Sequence, residues 1–458
     1  MIVGAGPGGL ASAVEAAGAG VRVMLLDENP KPGGQIYRQH HSRIQVSGSR
    51  SLGPDFKRGQ KLLAEFDGVR SRLDYLDNAL VWGIFDDNVL AFVREETSHP
   101  LRFRKLILSI GAYDRPVPFP GWTLPGVFSA GGAQVLVKGQ RVLPGERILL
   151  AGTGPLLLAL ASQILHAGGH VVAILEAGRI QGWLDLGLGF LGQRALLVDA
   201  IRYLWTIRKA GVPLLRKHMI LEARGDGRVE EALVAEVDEN WRPKPGKGRV
   251  IAVDTVCLGY GFVPSVELTR LAGCNHRYDP LLGGWIPERD SRMETSVRGV
   301  YAVGDSAGIA GSLAAVEQGR IAGLSAARSL GLLSAHEAGR RVGPSRKRLH
   351  HLLRLRRALD RISMPQPGLY ELAREDTIVC RCEEVTLKEI KEALEEGATE
   401  LSEVKRITRT GMGICQGRMC GPALQEIIAN LEGVPPSSIG HLNPRPPVKP
   451  VPLSALAR

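Results

Sequence analysis

The sequence predicts an α/β chain of two Rossmann-like units followed by a small helical domain built around cysteines. Three observations carry this expectation. A strand, a glycine-rich turn, an apolar helix and a second strand occur twice, starting at Ile2 and again at Ile148, which is the unit that builds a parallel sheet with helices on both faces. The span from Leu221 to Leu258 alternates apolar and polar residues and reads as short strands leading into DTVCLGYGF. Four of the six cysteines lie between positions 380 and 420, after the glycine-rich turns have stopped.

A chain of 458 residues is long enough for about two to four compact units. Many of its 56 glycines stand in Gly-x-Gly turns ahead of apolar segments, so they read as functional positions and not as disorder. No basic stretch followed by an apolar run and a cleavage site opens the chain, and no apolar run reaches about 18 residues, so the expectation is a soluble, cytoplasmic protein without a transmembrane segment. Six cysteines in that setting argue for thiolate chemistry over a disulfide framework. The net charge of +11 is spread along the chain except between Arg341 and Arg361, and nucleic-acid binding is not expected. That basic stretch interleaves Leu349, Leu352, Leu353, Leu355 and Leu359 with its charges. It reads as a solvated amphipathic helix, with a docking surface for a partner as the competing reading.

The opening run MIVGAGPGGLASAVEAAGAGVRVMLLDE sets Gly4, Gly6 and Gly9 in a GxGxxG turn between strand and helix. Gly4 permits the tight turn, Gly6 lets backbone approach a pyrophosphate, and Gly9 lets helix and strand pack closely. Asp27 and Glu28 end the next strand, where a carboxylate meets adenosine ribose hydroxyls. Only three residues precede Gly4, so the first strand is shorter than usual and Met1 is not expected to be the native start. The run KPGGQIYR, with Gly33, Gly34 and Gln35, resembles the flavin-approaching turn of two-dinucleotide-binding-domain flavoproteins, and ETSVRGVYAVGDSAG resembles their returning strand. In that fold Gly304 and Asp305 would meet the ribitol chain of FAD.

ERILLAGTGPLLLALASQILHAGGHVVAILE repeats the pattern with Gly152 and Gly154, but Leu157 takes the place of the third glycine and is expected to push helix from strand. Glu176 would disfavour the 2′-phosphate of NADP, so this second site reads as degenerate. Cys380 and Cys382 stand in CRCEEVT, and Cys415 and Cys420 in GICQGRMCGPAL. Each pair precedes a predicted helix, whose dipole and free N–H groups favour thiolates. Four thiolates suit a 2Fe-2S cluster, with Arg381 and Arg418 inside the motifs to moderate its charge. Structural zinc is the rival occupant. Cys257 and Cys274 read as buried small hydrophobes, and His40 and His41 as solvated loop residues. No nucleophile–base pair is visible, so no catalytic acid or base is named.

The expected units are residues 1–120 with 270–335 as the first nucleotide-binding domain and 121–269 as the second. A basic helical connector follows at 336–370, ending near Pro365 and Pro367. The cysteine domain spans 371–435, with a capping box at Thr386 and Glu389, and a proline-rich tail covers 436–458, extended on a surface or mobile.

Taken together, GAGPGG, DENPKPGGQIYR, GAYDRPVPFPGWTLPGV, AGTGPLL, VYAVGDSAG and the terminal cysteines resemble, over nearly the whole length, the alpha-type subunits of bacterial opine oxidases and hydroxyproline dehydrogenases and the related subunit of hydrogen cyanide synthase. The cysteine unit looks like the bacterioferritin-associated ferredoxin (BFD) domain. The resemblance implies a hetero-oligomer with a D-amino-acid-oxidase-like flavoprotein beta subunit that binds the amino-acid or opine substrate. It implies FAD in the first site, with ATP there in some relatives, and an FMN between subunits in related complexes. The alpha-type chain would pass electrons through its cluster to a quinone or another carrier. Two other readings stay open: a self-contained NADH-dependent reductase, and a non-catalytic nucleotide- and zinc-binding scaffold.

Overall fold

The computed structural model describes residues 1–39, 54–178, 187, 189–190 and 193–457, so His40 and His41 lie outside it. The first unit is built on a parallel sheet ordered Val300–Ala302, Leu106–Leu108, Ile2–Val3, Val23–Leu26 and Leu73–Leu76. The first strand has only two residues, yet Ile2 pairs with both Leu25 and Ile107 and sits at the sheet's centre. Its central strands are buried, as parallel sheets require, while the edge strand Leu73–Leu76 is partly exposed. Helices Pro7–Gly18 and Ser312–Ser329 touch backbone to backbone against this sheet: a Cβ at Gly319 would lie 2.1 Å from Gly8 O, and one at Gly323 would lie 2.5 Å from Ser12 O. Two glycines inside a helix thus let a distant part of the chain reach the first turn.

The second unit carries a parallel sheet ordered Leu214–Arg216, His170–Glu176, Arg147–Gly152, Thr255–Gly259 and Val127–Ser129. The alternating span folds as the antiparallel strands His218–Arg224, Glu231–Val237 and Pro243–Ala252, after which Thr255–Gly259 is buried throughout. The chain is therefore an α/β protein with two Rossmann-like units and a C-terminal helical domain, as its sequence predicts.

A single helix, Ala335–Ser363, forms the connector, capped by Ser334, whose hydroxyl accepts from Glu337 N. It continues through Pro344 and buries Leu349 and Leu355, so its apolar side is a packing face. The cysteine domain follows as the hairpin Ile378–Cys380 and Val385–Thr386 with helices Leu387–Glu395, Leu401–Thr408 and Gly421–Glu432. Thr386 and Glu389 close a reciprocal capping box. This domain does not keep a core of its own: Val379, Ile390, Val404 and Leu424 join one apolar cluster with Trp241, Val256 and Tyr260 of the second unit. Trp122 Nε1 donates to Ile378 O at 2.6 Å, and Arg242 grips Glu371 at 2.7 and 2.8 Å. The tail lies along the first unit, where Val448 is buried and its N–H donates to Trp82 O at 2.9 Å. Among the described residues no helix is long and apolar enough to cross a membrane.

Candidate cofactor sites

At the first turn Gly4 adopts φ +93°, and a Cβ there would lie 2.2 Å from Ser109 O. A Cβ at Gly9 would lie 1.7 Å from Gly4 O, so both positions tolerate only glycine. Gly6 is different: a Cβ there would meet only Gly34 Cα, at 4.0 Å. No side chain caps the helix that begins beside it, which leaves its first N–H groups for an anion. The Gly33–Gly34 turn packs directly on this loop, with Gly33 N donating to Ala5 O at 2.8 Å and both glycines at positive φ. Gln35 accepts from Arg38 Nη2 at 2.7 Å.

Asp27 and Glu28 part company. Asp27 is buried and braces the turn from inside, its carboxylate accepting from Ala5 N at 2.5 Å, Asn29 N at 2.7 Å and Asn29 Nδ2 at 3.0 Å. Burial pushes its pKa up while these hydrogen bonds pull it back. Glu28 is exposed and paired with Lys449 of the tail. Gly304 N donates to Gln318 Oε1 at 2.8 Å, and Asp305 Oδ1 accepts from Ala310 N and Gly311 N, both at 2.9 Å, closing the loop that starts the Ser312–Ser329 helix. Gly8, which the motif does not single out, is where the distant segments converge: a Cβ there would meet Ser109 Oγ at 2.9 Å, Val303 Cγ2 at 3.2 Å and Ala315 O at 3.3 Å.

The second turn borders a recess whose walls include Gly154, Pro155, Asp360 and Ser363, and the chain's own groups reach into it. Ser363, at the end of the connector helix, lies over Gly154, whose added Cβ would be 3.1 Å from Ser363 Oγ, and Ile362 O would be 3.2 Å from a Cβ on Gly178. Glu176 is folded over the same turn, accepting from Gly154 N at 3.2 Å and Gly178 N at 2.8 Å, and burial pushes its pKa up. The sequence expectation that Leu157 would push helix from strand needs correction. Leu157 is fully buried against Gly259, where an added Cβ would come within 2.9 Å of Leu157 Cδ2. A glycine on the facing strand makes the room that the missing third glycine would have made.

The cysteines meet in two pairs. Cys380 and Cys420 are buried neighbours, while Cys382 is exposed beside the half-buried Cys415. Cys420 donating to Cys380, together with N–H groups that include Gly411 at 3.5 Å, draws the Cys380 thiol down to about 6 against the effect of burial. Gly413 lets the two cysteine-bearing loops touch, since a Cβ there would lie 2.3 Å from Cys382 Cβ. Among the described residues no group of three or more His, Cys, Asp or Glu side chains converges to hold one metal ion. Four cysteines brought to one end of a small domain fit a 2Fe-2S cluster, whose irons each take two thiolates. Arg381 is exposed. Arg418 instead locks the loop, pairing with Glu267 at 3.0 Å and donating to Cys415 O at 3.1 Å and to Val448 O.

Two glycine turns on two Rossmann-like sheets and a four-cysteine domain define an oxidoreductase of the two-Rossmann flavoprotein class with an iron–sulfur module. The pyridine nucleotide-disulphide oxidoreductase family matches residues 1–331 and the BFD-like [2Fe-2S] binding domain matches 378–430, which imply a flavin and a 2Fe-2S cluster. More narrowly, the chain belongs to the family that holds the A-type chain of opine oxidase and the HcnB chain of hydrogen cyanide synthase. It is 36% identical to the opine oxidase A-type chain of Rhizobium meliloti over 100% of this chain and 87% of that one. It is also 36% identical to HcnB of Pseudomonas aeruginosa, over 99% and 97% of the two chains. The alpha chain of R. meliloti sarcosine oxidase is 27% identical, with 42% of its length covered. In fold the chain is similar to L-proline dehydrogenase from P. horikoshii, with a TM-score of 0.72 at 20% identity over 100% of this chain and 78% of that one.

Proposed function

We propose that this chain is the electron-transferring flavin and iron–sulfur subunit of a multi-subunit dehydrogenase that oxidises a C–N bond of an amino acid or opine, with an acceptor other than NAD. The observation that carries the proposal is the contrast between the first turn, where Gly6 meets only Gly34 Cα, and the second, where Glu176 takes the Gly154 N–H and Ser363 lies beside Gly154. If Glu176 and Ser363 keep NADH from the second turn, the chain receives its electrons from a partner. Its relatives are named as subunits of opine oxidase, hydrogen cyanide synthase and sarcosine oxidase. A D-amino-acid-oxidase-like beta subunit holding the substrate is the partner this reading takes.

Under this proposal Gly4, Gly6 and Gly9 hold the pyrophosphate of FAD, Asp27 stiffens the turn, Glu28 lies near the ribose, and Gly33, Gly34, Gln35, Gly304 and Asp305 line the rest of the cofactor. ATP is the alternative occupant, and an FMN would sit at the subunit interface. Cys380, Cys382, Cys415 and Cys420 hold the cluster. Flavin and cluster together supply two-electron acceptance and single-electron release. The chain's own residues keep water from the buried Cys380 and Cys420 and leave Cys382 exposed toward an acceptor such as a quinone.

An outward apolar face supports a hetero-oligomer: Leu197, Val198, Ile201, Leu204 and Trp205 are all exposed on helix Arg194–Lys209, whose inner face carries Asp199 and Ile207. The test is an anaerobic preparation, with and without the partner flavoprotein, read by visible spectrum, iron and zinc content and released nucleotide. Flavin bands with about two irons per chain are expected from four-cysteine ligation. Zinc without iron, or NADH-dependent bleaching of the lone chain, would overturn the proposal.

A further inference from the structure

A recess of about 580 Å³ opens beside the cysteine domain, where three parts of the chain meet. Tyr113 enters it from the strand Ala112–Asp114, which pairs with Phe262–Pro264. The loop between Cys415 and Cys420 supplies Gln416, Gly417 and Arg418, and the tail supplies Leu442, Pro444 and Val448. Leu442 sets how near the recess comes to the thiols. Added Cβ atoms on Gly411, Gly417 and Gly421 would lie 2.9, 2.5 and 3.3 Å from Leu442 Cδ1, and the one on Gly411 would also lie 3.8 Å from Cys420 Sγ. Three glycines thus seat the tail against the cysteine loop, and the recess borders that loop through the Leu442 side chain and the glycines around it.

Its walls are largely apolar, with Leu401, Pro422, Leu442, Pro444 and Val448 beside the Tyr113 ring. The Tyr113 hydroxyl makes no hydrogen bond among the described residues. Burial and the neighbouring Glu267 push its pKa up, Arg418 and Arg115 oppose them, and Cys415 is near enough to add to the push. Several other donors are already taken. Gln416 Nε2 goes to Gly413 O at 3.1 Å, Gln425 Nε2 to Pro436 O at 2.5 Å, and Arg418 to Glu267 at 3.0 Å. A free phenol beside an apolar slot suits a flat apolar ring with an acceptor oxygen at its edge. Lys405 and Arg445 also line the recess and form no ion pair among the described residues. They would take the phosphate of an FMN, which makes that flavin the competing occupant.

We propose that this recess is the binding site of a quinone, whose carbonyl oxygen accepts from the Tyr113 hydroxyl while its ring lies against the tail. The proposal rests on the reading of Cys380, Cys382, Cys415 and Cys420 as a 2Fe-2S cluster, and it gives the acceptor which that reading requires a place on this chain. Reducing a quinone to a quinol takes two electrons, which the cluster releases singly, and two protons, which water supplies. The proline-rich tail then forms one wall of the acceptor site, and Leu442 sets the approach of the ring to the cysteine loop.

The test is calorimetric titration of a short-chain ubiquinone into the oxidised full chain, with FMN as competitor and with iron measured on the same preparation. Saturable quinone binding is expected, weakened about threefold to tenfold by Tyr113→Phe, as the loss of one hydrogen bond predicts. That variant keeps the ring and removes a hydroxyl that holds nothing else in the fold, so its thermal unfolding should match wild type. A preparation without iron sinks the cluster reading, and this proposal with it. With iron present, three results overturn the proposal alone: no saturable quinone binding, equal affinity in Tyr113→Phe and wild type, or displacement of the quinone by FMN.

Discussion

The two glycine turns share one local grammar and differ in what the rest of the chain lays over them. At the first, Gly6 faces only Gly34 Cα at 4.0 Å, and the distant Gly304 loop packs behind the turn through Gly8. At the second, the end of a helix from more than two hundred residues downstream rests on Gly154, and Glu176 takes the Gly154 N–H. Both turns are correctly formed, so strand–turn–helix geometry is necessary for a nucleotide site without being sufficient. Under the proposed function, the difference lies in which backbone N–H groups are already taken, as Glu176 takes that of Gly154.

The largest effect that would break this contrast lies at Gly9. Gly9→Ala puts a methyl 1.7 Å from Gly4 O, and released-nucleotide analysis should find bound nucleotide reduced to near zero. Gly154→Ala at the matching second turn should leave nucleotide content unchanged. Equal losses in the two variants would remove the asymmetry on which the proposed function rests.

Restoring the third glycine of the second turn sharpens the contrast. Leu157 is fully buried, so Leu157→Gly should destabilise the chain by about 2–5 kcal/mol in urea unfolding. It should gain no NADH affinity in a fluorescence titration, because Ser363 and Ile362 stay in place; NADH binding by this variant would show that the leucine alone closes the site.

A smaller effect is read by pH. Asp360, on the covering helix and 4% exposed, pairs with Arg356 at 2.5 Å, yet burial pushes it up to about 6. The folded chain therefore binds this proton more tightly than the unfolded chain, whose carboxyl titrates near about 4. Its contribution is most favourable below that value and is lost as pH rises through about 6, by up to about 3 kcal/mol. Asp360→Asn should flatten this descent, so that the stability difference between variant and wild type moves in the variant's favour between about pH 4 and 6. A difference that does not change with pH would mean that Asp360 is not buried over the second turn.

The smallest effect belongs to Lys449→Ala. Its pair with Glu28 is half exposed, with side-chain exposures of 38% and 44%, and thermal unfolding should register no more than about 0.5 kcal/mol. A larger loss would mean that the tail clamps the first site through this ion pair and not through the buried Val448.

Much of this molecule is legible in its sequence because the relevant signals are local. The two strand–turn–helix units, the Thr386 capping box and the basic helix all rest on contacts within a few residues, where periodicity and glycine placement report the backbone directly. The spacing of Cys380, Cys382, Cys415 and Cys420 likewise marks a four-thiolate site before any folding is known.

What the tertiary structure alone decided were contacts between residues far apart in the chain. These are the contact of Ser363 with Gly154, the accommodation of Leu157 by Gly259, and the closeness of Cys380 to Cys420 and of Cys382 to Cys415. Asp27 and Glu28 are neighbours of the same charge, and only burial told the brace from the surface carboxylate. Hydrophobic and glycine patterns specify which face of an element is buried but not which distant element buries it. That choice is made when whole faces pack together, and it leaves no periodic trace in the sequence.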